Sequence, residues 1–208
     1  MPITQSLSNF QMKINQCDSL IASAHNVDSL GNQLFPQIDR EQITVAAFLN
    51  LFIAWEEFIE SSIVDFMMGD STTNGTVPTK FVQPIDHEHS NRMLVHTNRY
   101  FDYANHENVQ KIAKLYFLNG YPFESVISSI NLQLSQMKVI RNACAHLSST
   151  TRTSLEAVAS RILGQVHKGI SVYDLLIKQV PGVTGAGSTV YKSFRDTLET
   201  AAIMIARG

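Results

Sequence analysis

The sequence predicts an all-α protein, a single-domain helical bundle with peripheral helices formed by residues 1–208. Three observations point to this class. Apolar residues recur every three or four positions almost throughout, the period of a helix with one buried face. No segment of useful length alternates apolar and polar residues as a half-buried strand would. The interruptions carry Gly, Pro, Asn and Asp, which start and stop helices.

Phe10, Ile14, Cys17, Ile21 and Ala24 mark a first amphipathic helix. Pro36 then breaks the chain, and Asp39 followed by Gln42 has the form of a capping box. A second helix is expected from about Asp39 to Met68, stopped by Gly69. Its stripe of Phe48, Phe52, Trp55, Ile59, Ile63 and Phe66 makes it the central helix, with Trp55 in the core. Residues 70–86, rich in Gly, Pro, Ser and Thr, read as a loop. Helices follow over about Ser90–Phe101 and Glu107–Leu118, the latter capped by Asn105 and ended by Asn119-Gly120. After a turn at Tyr121-Pro122, one long helix is expected from about Glu124 to Leu147. Thr153 and Glu156 form a second capping box for a helix reaching about Gly169. A short helix near Tyr173–Lys178, a loop at PGVTGAG and a last helix over about Ser188–Ala206 complete the chain. The core is expected within about residues 39–169, with about 180–208 as a C-terminal helical extension.

A chain of 208 residues is long enough to form a core without a metal or disulfide staple. Charged residues are only 16%, so Ser, Thr, Asn and Gln must cover much of the surface, which leaves room for self-association. The net charge of -2 excludes a protein that coats nucleic acid by bulk positive charge, and any such contact needs a local basic patch. Cys17 and Cys144 lie far apart and outside any paired motif, as reduced intracellular thiols do. MPITQSLSNF lacks the basic and apolar regions of a signal peptide. The apolar run Val45–Trp55 is about half a membrane span and continues into Glu56, Glu57 and Glu60. A cytoplasmic protein with no membrane partner is expected.

The stretch around Arg141, Asn142 and His146 carries the chemistry. On a helical wheel Met137, Ile140, Cys144 and Leu147 share the core side, while Asn142 and His146 fall within about 40° of each other opposite. Arg141 lies between, and its long stem can bring the guanidinium to them. Ala143 and Ala145 flank the group and are expected to leave space for another backbone or a ligand. Histidine can take and return a proton near neutral pH. Arginine presents a rigid fork to phosphate oxygens, and asparagine orients a hydroxyl or phosphate without titrating. Together they supply what cleavage of RNA by its own 2′-hydroxyl needs without a metal ion. The plainer alternative is an Arg and a His that merely solvate a helix end.

The segment IRNACAH resembles the R-N-x-x-x-H motif of HEPN-domain ribonucleases, and the earlier helix with AWEEFIESSI is similar to their acidic–aromatic helix. The motif covers Arg141 to His146, and the helical layout extends the likeness over about Asp39–Gly169. Within the superfamily the chain looks most like the RiboL-PSP-type members. The resemblance implies a HEPN-like fold and a metal-independent endoribonuclease without cofactors, its site shared across a homodimer. It also implies 2′,3′-cyclic phosphate products, with His146 as base or acid, Arg141 on the scissile phosphate and Asn142 positioning it. A toxin or antiviral defence effector, with an antitoxin or defence-system partner, follows from the same likeness. The alternative from another class is a non-catalytic helical dimerisation module that binds RNA or a partner protein.

Arg92 and Arg99, seven apart, are candidate RNA contacts together with Lys138; the alternative is a solvated helix face. His87 and His89, with His96 nearby, would bind metal only with further ligands, so no metal site is assigned. Glu56 and Glu60 share a helix face and are candidates to hold the Arg141 guanidinium; the alternative is the solvated side of the helix. Gly182, Gly185 and Gly187 follow no strand and precede no P-loop lysine, which makes a flexible loop the better reading.

Overall fold

The computed structural model describes residues 2–95, 100–146, 148–181 and 189–208. Among them are nine α-helices: α1 (Ile3–Ala24), α2 (Gln37–Met68), α3 (His87–Val95), α4 (His106–Tyr116), α5 (Phe123–Ser129), α6 (Asn131–Ala145), α7 (Ser149–Leu163), α8 (Val172–Ile177) and α9 (Val190–Arg207). A 3-10 turn covers Leu118–Gly120, and among the described residues extended pairing is limited to isolated bridges. The protein is all-α, as its apolar period predicts.

The stripe on α2 is the expected one: Phe48, Phe52, Trp55, Ile59, Ile63 and Phe66 are each no more than 2% exposed. The helix begins two residues before Asp39, because the Pro36 carbonyl accepts the N–H groups of Asp39 and Arg40 at 3.1 and 3.2 Å. Asp39 therefore belongs to the first turn and is not the cap. Gly69 ends the helix with φ of 104°, a conformation that disfavours side chains. The Lys80 ammonium donates to the Met67 carbonyl at the same end. Among the described residues α2 alone has the length and composition to cross a membrane, and half of that apolar window is buried inside the protein.

The helices group into two compact units, and α1, α2, α6 and α9 each supply residues to both. The first comprises residues 1–11, 55–135 and 197–208. Its interior is aromatic. Phe66, Phe117 and Phe123 meet pairwise with centroids 5.8–6.5 Å apart, and Phe10 packs on Trp55 and Phe58 at 6.3 and 5.4 Å. The buried Asp65 carboxylate accepts a 2.7 Å hydrogen bond from Ser6.

The second unit comprises residues 12–54 and 136–196. Phe48 packs on Phe194 at 6.5 Å, and the ring of His25 stacks on Tyr173. The guanidinium of Arg195, 8% exposed, donates to Asp18 at 2.9 Å and to Asn15 at 3.2 Å, while Tyr191 donates to Asp18 at 3.1 Å. Residues outside the expected core therefore fill the interior. Phe10, Ile14 and Cys17 of α1 and Val190, Phe194 and Leu198 of α9 are all buried. The stretch read as a C-terminal extension supplies both core and ion pairing.

Three expected boundaries differ. The long helix of Glu124–Leu147 is two helices, α5 and α6, broken at Ile130. The Ser129 hydroxyl donates to the Val126 carbonyl at 2.7 Å, and the Ile130 N–H turns to Ile127 instead. A Ser hydroxyl that occupies a helical acceptor competes with the backbone for it. The helix α7 is capped by Ser148 and Thr151 and ends at Gly164 in the left-handed region. Glu156, expected in the capping box, accepts the Gly169 N–H at 2.8 Å. The helix α3 covers His87–Val95, and Tyr100–Asn105 are not helical, unlike the expected span to Phe101.

Arg195→Ala leaves Asp18 with only Tyr191 among the partners named above. Because Asp18 keeps about a third of its side chain exposed, we expect a loss of about 2–3 kcal/mol, below the range for a fully buried pair, read from urea unfolding at neutral pH.

Candidate active site

The helix α6 turns one side inward. Leu134, Met137, Ile140 and Ala143 are each no more than 2% exposed and step by three residues. This drift places Ala143 in the core and leaves Cys144 half-buried at its edge. Ala143 is therefore no exposed flank of the polar group, and only Ala145 leaves open space beside it.

The polar group occupies the last turn. Arg141 and His146 are exposed and Asn142 is half-buried. Nη1 of Arg141 donates to Oδ1 of Asn142 in a long hydrogen bond of 3.4 Å. The Asn142 carbonyl accepts the His146 N–H at 3.0 Å and closes the helix. Asn142 thus touches Arg141 through its side chain and His146 through its backbone. Among the described residues the imidazole of His146 has no hydrogen-bond partner, and the Arg141 guanidinium has only Asn142. Both remain open to an anion or a hydroxyl from outside.

One feature beyond the motif fixes this end of α6. The carbonyl of His146 accepts from the Thr151 hydroxyl, which also accepts the Ser148 N–H at 3.0 Å, while Ser148 Oγ takes the Thr151 N–H at 3.2 Å. Ser148 and Thr151 belong to the hydroxyl run that follows His146. Four Ser and Thr residues ahead of a periodic apolar segment are the sequence signal for such a cap. Read only as a polar linker, the run conceals the clamp.

Burial pushes the Cys144 thiol up to about 11 against the smaller pull of Arg141, so it stays protonated. Cys17, also a free thiol, is raised to about 11 by burial and by Asp18. Neither is an activated nucleophile.

Lys138 is half-buried on α6 one turn before the motif. Arg92 is exposed on α3, where it pairs with Glu88 at 3.1 Å across one turn, an arrangement worth little in water. Arg99, His96, Gly182, Gly185 and Gly187 lie outside the described residues. Glu56 and Glu60 are half-buried on α2 in the first unit, whereas Arg141 belongs to the second. Burial, then the neighbouring Glu57, raises the Glu60 carboxyl, and Tyr103 lowers it as a hydrogen-bond partner. His89 is committed to a helix start: its ring accepts the Ile85 N–H at 3.2 Å and its own N–H bonds to Asp86 at 2.7 Å. Among the described residues no three His, Cys, Asp or Glu side chains are grouped to hold a metal ion.

Comparison with family models, curated proteins and solved structures finds no match to this chain.

Thr151→Val keeps the shape of the side chain and removes the clamp. We expect a loss of about 1 kcal/mol, typical of a helix cap, and faster amide hydrogen exchange over residues 142–152. Unchanged exchange there would show that the hydroxyl does not hold the helix end.

Proposed function

We propose that the protein is a metal-independent endoribonuclease of the HEPN type that acts as a homodimer. The observation that supports this best is the open pair at the end of α6. Arg141, bonded to Asn142, and His146, whose imidazole has no hydrogen-bond partner among the described residues, lie about a turn and a half apart and are both exposed. The reaction needs no more than these groups at the phosphate. The 2′-oxygen of the substrate attacks the adjacent phosphorus as an imidazole takes its proton. The bond to the 5′-oxygen breaks and that oxygen receives a proton, leaving a 2′,3′-cyclic phosphate and a 5′-hydroxyl. Arg141 neutralises charge growing on the phosphoryl oxygens, and Asn142 holds the guanidinium toward them. Base and acid must lie on opposite sides of the phosphorus, which is why two copies of His146, one from each protomer, fit the chemistry better than one. Exposed Ala145 permits the close approach that such a pairing requires.

A toxin or defence effector, controlled by an antitoxin or another defence component, is the biological role that accompanies this reading. A second reading, a non-catalytic module for a protein partner, draws support from Leu30, Leu34 and Ile38, which are 84%, 58% and 63% exposed.

Single-stranded RNA should be cleaved in the presence of EDTA. His146→Ala and Arg141→Ala should each lower the rate at least about a hundredfold, as removal of an acid–base or charge-stabilising group does. Wild-type rates in both variants would refute the assignment.

A further inference from the structure

We propose that the cavity on the inner side of the motif helix is a binding site for a small molecule with an apolar body and one anionic end. The cavity holds about 600 Å³ and lies wholly within the second unit. That volume suits a small ligand. Val45 and Leu49 of α2, Leu155 of α7 and Ile170 and Val172 around the start of α8 give it apolar walls. Ala143 and Cys144 of α6 close one side. Cys144 lies opposite Asn142 and His146 on the helical wheel, so an occupant against its thiol meets the other side of the helix from these polar groups.

The rim carries one negatively charged carboxylate, Glu41, and one guanidinium, Arg152, and the anionic end of the ligand is assigned to Arg152. The Glu41 carboxylate already accepts from the Gln37 amide at 2.7 Å, and the Ser171 hydroxyl is bonded to Asp174 at 2.7 Å. Arg152, on the rim and exposed, has no side-chain partner among the described residues. A lone guanidinium beside apolar walls complements a carboxylate, sulfonate or phosphate attached to an aliphatic or aromatic body. Because Arg152 follows Thr151, the residue that clamps His146, a ligand bridging Arg152 and Cys144 would brace the same helix end. Binding stands apart from the ribonuclease reading, and only an effect on RNA cleavage would rest on it.

The probe is 8-anilinonaphthalene-1-sulfonate, an aromatic body with one anionic group. We expect saturable binding of one equivalent to the folded full chain, with enhanced fluorescence. Arg152→Ala should weaken it about tenfold, the weight of one charge-assisted contact. The uncharged analogue N-phenyl-1-naphthylamine should bind both proteins alike. Ala46→Trp, which fills the cavity from an exposed position on α2, should abolish binding. In the unaltered protein the sulfonate should slow alkylation of Cys144 by N-ethylmaleimide at alkaline pH, a readout that needs no variant. Binding of equal strength in Arg152→Ala or Ala46→Trp, or no protection of Cys144, would overturn the proposal. Loss of RNA cleavage in His146→Ala with probe binding intact separates this site from the motif.

Discussion

The Thr151 hydroxyl, which donates to the carbonyl of His146 and accepts the N–H of Ser148, ties the end of α6 to the start of α7. The last carbonyl groups of a helix have no partner within it, and the final turn frays unless something outside takes them. Here one side chain serves two helix ends at once. It satisfies a carbonyl beyond α6 and, as the reciprocal half of a capping box, a donor ahead of α7. Without it the turn that carries Arg141, Asn142 and His146 would keep the bond from the His146 N–H to the Asn142 carbonyl but lose its tie to α7. Burial of Met137, Ile140 and Ala143 sets the rotation of α6 about its own axis, and the clamp sets where it stops.

These two constraints divide the helix into faces with different chemistry. The outward face carries the Arg141 guanidinium, bonded to Asn142, and the His146 imidazole, which has no hydrogen-bond partner among the described residues. The edge at Cys144 meets an apolar cavity whose rim has a single free cation among the described residues named there. The proposed cleavage would need the first face to be rigid, since acid–base transfer depends on placement within hydrogen-bond reach. The second face is where rigidity could be adjusted, because its packing is incomplete. A protonated Cys144 suits that role as a small apolar wall rather than as a reactive group.

Much of the fold was legible because its signals are local. The α2 stripe, the Gly69 stop and the Asn105 cap each depend on residues close in sequence, and each stands where the pattern puts it. The break at Ile130 was not legible. Val126, Ile127, Ile130 and Leu134 keep the helical period straight across it, and only the choice of Ser129 to bond the Val126 carbonyl interrupts the backbone. The start of α7 was misplaced for a related reason. Several Ser and Thr residues in succession can each cap, and Thr in place of Glu completes the box. At the motif, the residues were legible but their burial was not. From Ile140 the core stripe can continue by three to Ala143 or by four to Cys144, and packing chooses the first. The burial of α9 also escaped the pattern, since its ion pair joins Arg195 to residues about 180 positions earlier.

In the proposed reaction the 2′-hydroxyl of the substrate is the nucleophile, with Arg141 and His146 at the phosphate. The most direct measurement uses an RNA oligonucleotide with one 2′-deoxy nucleotide on the 5′ side of the cleaved bond, incubated in EDTA beside its all-ribose parent. The parent should be cut to a 2′,3′-cyclic phosphate, and the substituted strand should survive at that bond. Cleavage of the substituted strand at the same bond, or products ending in a 3′-hydroxyl, would contradict it.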